Sequence, residues 1–564
     1  GFDSRHLHLI FMTHLQGGAL SGGLLSRRDT HRTDQDTRPA VHDGESRARD
    51  GSSCADGDEP APGTAVHRGL GETTSARHWR TLRLAGLVVF GLWLVGLAAL
   101  STLLYHRDLL AEDFATYNQA WTLIGQGHLN PFDTVYGFSF VKADFELIMW
   151  PLALIHLVFP HPVVLLWIQD LAIAGCGLVA YLWILEYLEQ RRVGSSTAIA
   201  VASVVLLVTI GNPGIYLTLS FDVHMEPIAA LFLLLAGREF WRGRHRRAWC
   251  FVAVVLLCGL FSAIMAVGLG VSALLAGRAT RRSGVLLVVG GVAWTLLIAV
   301  LHANLGSGLS NYAYLAGRTT LPAVGGVVLV AKGIVTHPWR AWDNLYSRHA
   351  DLLKLIRLVG IVGLASAWGF GVPVVVMLID AFNSHRNFVS SFQNFAVFPF
   401  VLLGTVMVLV WVAQRFRLGW MPAVLVGVLV TLLALSYGYE QSPASVRSVA
   451  DQMPAGPGAA LRTTLARTPP EAEVISTIGV MGRFCGREYC YYFAPDLSRP
   501  VQSRTVVFVF ATGSLTLTTP TRLQRAITYV RDDLHAQVLG DSDGVIAFLW
   551  HPPPGTTQVT LSTR

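Results

Sequence analysis

Asp222, His224 and Glu226 alternate in FDVHMEP (221–227). In extended backbone, alternate side chains share one face, so this spacing suits metal ligation or a hydrogen-bonded catalytic group; a purely structural pair in a loop uses the same pattern. A second acidic group lies in residues 112–146, EDFATYNQAWTLIGQGHLNPFDTVYGFSFVKADFE, which holds Glu112, Asp113, Asp133, Asp144 and Glu146, with Asp108 just upstream. Carboxylates held against a bilayer are costly unless paired or hydrated, so acids wedged between apolar runs read as a site, the rival reading being an outer loop kept wet. Asp133 stands in a turn-like NPFD context that suits local capping. Further along, His302, Arg318, Lys332, Arg340 and Arg348 offer cations that could meet phosphate or anchor the chain at an interface. Trp339 and Trp342 nearby fit an aromatic belt as well as a sugar platform. Asp170, inside an apolar run, is a functional candidate, whereas Asp380 reads as a helix end in the headgroup layer.

The elements that must position these groups are membrane spans. Of 564 residues, 52% are hydrophobic and 14% charged. A soluble domain carries about a quarter charged residues, so the chain is not an ordinary soluble protein. Apolar runs at 83–105, 163–188, 195–211, 225–238, 248–262, 263–277, 284–302, 352–368, 370–382, 393–413 and 418–437 predict an α-helical polytopic membrane protein with about eleven transmembrane helices. The net charge of +7 comes from short clusters at the ends of those runs, REFWRGRHRR (238–247) and RATRR (278–282) among them, which is the pattern of cytoplasmic loops rather than of a nucleic-acid face.

A further run, FELIMWPLALIHLVF (145–159), either crosses or lies at the surface. If it does not cross, the basic clusters at 77–83, 191–192, 238–247, 278–282 and 415–417 all fall on one side, and that arrangement is preferred. The acids at 112–146 and 222–226, the loop 303–351 and everything after 438 then share the outer face. Residues 1–78, polar and without apolar periodicity, are expected to form a disordered cytoplasmic tail, and 79–437 the transmembrane domain. Residues 438–564 alternate short β-rich runs (474–480, 505–511, 545–550) with a helical stretch (521–538), which predicts a small extracytoplasmic α/β domain. There Cys485 and Cys490 (CGREYC) are expected to form a local disulfide, because two ligands are too few for a metal site.

The motifs DFATYNQAW with its following G-H-x-NPF loop (113–132), FDVHMEP (221–227), NYAYLAG (311–317), ISTIGVMGRFCGREYCYYFAP and DGVIAFLW (543–550) together resemble an uncharacterised bacterial family of polytopic membrane proteins. That family is similar in layout to the GT-C membrane glycosyltransferases, which take a sugar from a polyprenyl-phosphate donor at the outer face. The resemblance covers most of the chain from residue 83. It implies that Asp113, with Glu112 beside it, is the acid that serves GT-C enzymes as general base or metal ligand. The residues read as substrate-binding candidates are Asp144, Asp222, His224, Glu226, Arg318 and Arg340, and a divalent metal is left open. The chain departs from that pattern at LFSAIMAVG (260–268), which carries no charge where a polar motif is expected.

The resulting expectation is a glycosyltransferase of the bacterial cytoplasmic membrane, moving a sugar from a polyprenyl-phosphate donor to a cell-envelope glycan or glycolipid. The alternative is a non-catalytic membrane protein, either a transporter or a lipid or envelope scaffold. A transporter should show inverted repeats and charges near the midplane. The sequence shows no repeat, and its charges gather at one face.

Overall fold

The computed structural model describes residues 65–107, 110–143, 145–219, 222–301, 310–322, 325–357, 359–384, 392–417, 425–428, 431, 455–494, 496–512 and 518–561. The chain divides between His78 and Trp79 into two compact units. The larger, Trp79–Arg564, holds most of helix α1 (Ala65–Arg107), which begins before the boundary, and every later element.

Next come α2 (Glu112–Gly125), the two-residue strands β1 (Phe132–Asp133) and β2 (Phe138–Ser139), and α3 (Met149–Ala153). The apolar helices follow: α4 (Val163–Gln190), α5 (Ser195–Ile210), α6 (Pro213–Leu219), α7 (Glu226–Trp241), α8 (His245–Leu257), α9 (Leu260–Leu275) and α10 (Arg278–Leu301). After them stand α11 (Gly326–Thr336), α12 (Pro338–Arg357), α13 (Ala367–Phe382) and α14 (Val397–Phe416). Among the described residues five helices are long and apolar enough to cross a membrane, Arg77–Arg107, Val163–Gln190, Ser195–Tyr216, Arg278–Leu301 and Val397–Phe416, and three shorter apolar ones are Leu260–Leu275, Gly326–Thr336 and Ala367–Phe382. Most of the expected span 418–437 lies outside the described residues.

Burial separates bundle-facing from lipid-facing surfaces. On α4, Ile173, Trp183, Ile184, Leu185 and Leu188 are fully buried, whereas α1 exposes Leu84, Leu87, Leu92 and Val95, and α10 exposes Leu286, Val289 and Val300. Exposed rows of this kind are what hydrocarbon covers. Small residues allow the closest helix approach: a Cβ on Gly371 of α13 would stand 2.1 Å from the carbonyl oxygen of Gly268 on α9. There the Gly371 N–H donates to the Ser272 hydroxyl at 3.1 Å, so close packing and a polar bond join the same two helices.

Two expectations about spans change. The run 352–368 is not one helix: α12 ends at Arg357, a 3₁₀ turn occupies Ile361–Ala365, and α13 starts at Ala367. Gly360 makes the break with φ +97°, and the Thr405 hydroxyl sits over it, donating to the Val359 carbonyl at 2.7 Å with the carbonyls of Gly360 and Val401 each at 2.9 Å. The loop 303–351 is not purely loop either, since it contains α11 and most of α12. The run 145–159 forms only α3 and the 3₁₀ turn Ile155–Leu157, too short to cross, with Leu154, Leu157, Val158 and Phe159 exposed.

The C-terminal region contains α15 (Ala455–Arg467), β3 (Glu473–Ser476), β4 (Cys490–Tyr492), β5 (Ser498–Pro500), β6 (Val506–Ala511), α16 (Pro520–Thr528), β7 (Gln537–Ser542), β8 (Val545–Trp550) and β9 (Gln558–Thr560). A five-stranded sheet runs β4-β3-β6-β8-β7, with β3 parallel to both β4 and β6, and β8 antiparallel to β6 and β7. Every residue of the central strand β6 is buried, as a strand covered on both faces must be. The helix expected over 521–538 ends a little earlier: α16 stops at Thr528, a π-helical turn carries it on to Asp533, and 537–542 is β7, which turns back through Asp543-Gly544, both with positive φ. Asp-Gly at that position is the residue pair a tight hairpin demands. Cys485 and Cys490 are bridged, as expected, with Cα atoms 5.2 Å apart.

Candidate active site

Helix α2 carries Glu112 and Asp113 in its first turn and is buried along nearly its whole length. A polar segment pays heavily for burial unless its groups are bonded, and the C-terminal region supplies the bonds. Asn118 donates to the carbonyl of Gly482 (2.9 Å), and Gln119 donates to those of Arg487 (3.0 Å) and Glu488 (2.8 Å). The Gln119 side-chain carbonyl accepts from Thr134 N–H at 3.0 Å, and the Thr134 hydroxyl in turn accepts from Cys490 N–H at 3.2 Å. The disulfide loop therefore grips α2, so 112–123 is not a hydrated loop, whereas 126–130 beyond it are exposed.

The start of α2 is held from another part of the chain. Asp222 accepts from Ala111 N–H (3.1 and 3.2 Å to its two oxygens) and from Phe114 N–H (3.2 Å). These are donors that a helix N-terminus leaves without intrahelical partners, so Asp222 caps a helix to which it does not belong. Its carboxylate faces backbone, with 5% of the residue exposed. Burial, aided by the charge of Asp113, pushes its pKa up to about 7 against the opposing backbone hydrogen bonds. Gln169 fixes the loop that carries it, donating to the Asp222 carbonyl (3.2 Å) and accepting from His224 N–H (2.8 Å).

That loop brings His224 to Asp113, Nε2 to Oδ2 3.9 Å, the imidazole 5% and the carboxylate 19% exposed. Glu226 opens α7 within electrostatic reach of Asp113, and both Glu226 and Glu146 are within reach of Cys258. Ile148 N–H, bonded to the carbonyl of Leu257 at 2.9 Å, ties the segment after Glu146 to the end of α8. The two acidic segments thus converge. Asp144 lies outside the described residues. Asp133 has the capping role its context predicts, its Oδ1 accepting from Val135 N–H (2.8 Å) and Tyr136 N–H (3.4 Å).

Arg318 and Arg340 are grouped with each other: Arg318 is exposed next to Gly317, and a Cβ on Gly317 would stand 2.6 Å from the Arg340 guanidinium. Arg348 is buried and donates to the carbonyl of Asp380 (2.8 Å), while Asn394 donates to the Asp380 carboxylate. That pair fastens the end of α13, where the sequence placed Asp380. Asp170 is buried in α4 and accepts from the Ser101 hydroxyl of α1 at 2.9 Å. Among the described residues no three His, Cys, Asp or Glu side chains gather closely enough to hold a metal ion. Sequence reasoning passed over Gln169, although a glutamine inside an apolar run was the available signal.

Fold and site together define a membrane protein in which a cluster of acidic residues lies between apolar helices and a C-terminal sheet region. The family model described as "Predicted membrane protein (DUF2079)" matches residues 106–514, and the chain belongs to that family. Two solved structures are similar, both of ArnT from Cupriavidus metallidurans: one bound to undecaprenyl phosphate (15% identity, TM-score 0.42) and one in the apo state (14%, 0.35). Each similarity covers 84% of this chain and 98% of the other. No curated protein matches the chain.

Proposed function

We propose that this protein is a GT-C-like glycosyltransferase, which moves a sugar from a polyprenyl-phosphate donor to a cell-envelope glycan or glycolipid at the outer face of the bacterial cytoplasmic membrane. The observation that carries this reading is the placement of Asp113: partly open to solvent, beside His224, on a helix N-terminus clamped by Asp222. An acceptor hydroxyl ionises far above neutral pH, so transfer needs a base within hydrogen-bond reach. Asp113 takes that proton as the acceptor oxygen bonds to the anomeric carbon and the bond from that carbon to the phosphate oxygen breaks, the phosphate leaving with the electron pair. His224 orients the Asp113 carboxylate. The motif resemblance to the GT-C layout supports the same assignment.

Asp113→Asn is nearly isosteric and leaves Asp222 and its bonds in place. It should insert and fold normally yet lower transfer by about 100- to 10,000-fold, the usual cost of losing a general base. Asp133→Asn, with its capping oxygen retained, should transfer at close to the wild-type rate. The measurement is transfer from a polyprenyl-phosphate sugar in membranes from strains carrying each variant. Wild-type transfer by Asp113→Asn, beside a clear defect on deletion, would move the protein to the non-catalytic scaffold or transporter reading.

A further inference from the structure

Where α8 and α10 begin, five exposed arginines stand together: Arg246 and Arg247 on α8, and Arg278, Arg281 and Arg282 on α10. Two contacts set these helices side by side. His245 Nδ1 and the Ser283 hydroxyl are 3.0 Å apart, and the Trp294 indole N–H donates to the Leu256 carbonyl at 2.9 Å. From the first contact to the second, α8 advances from 245 to 256 and α10 from 283 to 294, so the two run in the same direction and in step over about 16 Å. Both sets of arginines therefore stand at one depth.

The arginines that precede them are neutralised. Arg238 and Arg242 pair with Glu186, Arg242 also with Glu239 at 2.6 Å, and Arg83 with Glu189. The chain has no acid between Glu239 and Asp343, and among the described residues none of the five pairs with a carboxylate. Neither helix carries an acid in its first turn. Like charges so gathered repel, and positive charge at the start of a helix opposes its dipole, so the arrangement is unfavourable until an anion joins it. Marking one side of a membrane needs Lys and Arg in each loop, not two arginine groups bonded to one depth.

The surface that continues from the arginines is apolar. Val285 and Leu286 stand three and four residues beyond Arg282 on the same exposed face of α10, and Val289 one turn further. Hydrocarbon covers such a row, which puts the arginines at the depth of the lipid headgroups. A water-soluble polyanion would meet the guanidiniums and leave the row to other molecules, whereas a phospholipid meets both, phosphate at the forks and chains along the row.

We infer that Arg246, Arg247, Arg278, Arg281 and Arg282 form a binding site for the headgroup of an anionic phospholipid, its phosphate held between α8 and α10. The site lies beyond the end of α7 remote from Asp113 and does not depend on the transferase reading.

The test titrates the full-length protein in detergent with phosphatidylglycerol, with phosphatidylcholine of the same acyl chains and with inorganic phosphate, and counts bound molecules by native mass spectrometry. Phosphatidylglycerol should bind at least about tenfold more tightly than phosphatidylcholine, the contribution of one or two arginines at a headgroup. Arg246→Gln/Arg247→Gln and Arg281→Gln/Arg282→Gln should each weaken phosphatidylglycerol by about tenfold and leave phosphatidylcholine unchanged. Arg191→Gln/Arg192→Gln removes as much exposed charge at the end of α4 and should change binding by less than about threefold, since solvent and salt screen it from the site. Every substituted side chain is exposed, so each variant should fold. Equal affinity for the two lipids, undiminished phosphatidylglycerol binding in either double variant at α8 or α10, or an equal loss in the α4 variant would overturn the site. Inorganic phosphate binding as tightly as phosphatidylglycerol would overturn its assignment to a lipid.

Discussion

The Asp222 carboxylate caps α2 from outside that helix, so its loss is felt at Asp113. Asp222→Ala removes the acceptor for Ala111 and Phe114 N–H and should cost about 1–2 kcal/mol of stability, the usual range for a lost cap. Asp222→Asn keeps one side-chain oxygen and should restore most of it. If Asp222 only positions the helix, Asn should also restore transfer, which a comparison of thermal midpoints and turnover in the two variants will decide. Asp133 makes a separate prediction. Burial raises its pKa from 3.8 to about 7 against the opposing turn bonds, so the fold prefers its protonated form. The stability it contributes is full below pH 3.8, falls as pH rises towards about 7 and is then level. Asp133→Asn keeps an acceptor for Val135 N–H but cannot ionise. Its unfolding midpoint should therefore decline less than that of wild type between about pH 4 and 7, in a detergent melt followed by circular dichroism.

Helix α2 sets the limit of what could be read at the level of elements. The long apolar runs at 163–188 and 284–302 announce α4 and α10 because each is near the length needed to cross hydrocarbon, and that signal is local. Asn118 and Gln119 look like loop residues because the carbonyls that satisfy them, at Gly482, Arg487 and Glu488, lie more than 360 residues further on. The same distance hides the capping role of Asp222, whose alternation with His224 and Glu226 suggested a shared face for chemistry. The hairpin of β7 and β8 was legible in Asp543-Gly544, and the break after α12 in Gly360, had those residues been weighed above the flanking apolar periodicity. The bridge between Cys485 and Cys490 closes the loop whose carbonyls hold Gln119. Replacing both cysteines by serine should lower stability by about 2 kcal/mol, the loop-closure value for so short a ring. A lower melting midpoint in the double variant, equal to that of reduced wild type, is the expected result.

At the scale of the whole molecule, α4 and α7 both run from the region of the acidic residues to a basic cluster. Glu226 opens α7 near Asp113, and Arg238 and Arg242 at its other end pair with Glu186 near the end of α4. Sixteen residues of α-helix separate the two ends of α7, about 24 Å at 1.5 Å per residue. From this separation and the excess of Lys and Arg we predict that the acids and the arginine cluster face opposite sides of the membrane, with the cluster in the cytoplasm. In a background where the free cysteines are replaced, Arg246→Cys should resist a membrane-impermeant maleimide on intact cells and react after lysis. Arg531→Cys, half-exposed in the C-terminal region, should react at once. The reverse pattern would turn the Asp113 pocket towards the cytoplasm, where an outer-leaflet lipid-linked donor could not reach it, and would refute the transferase reading while leaving the packing of α2, α4 and α7 as described.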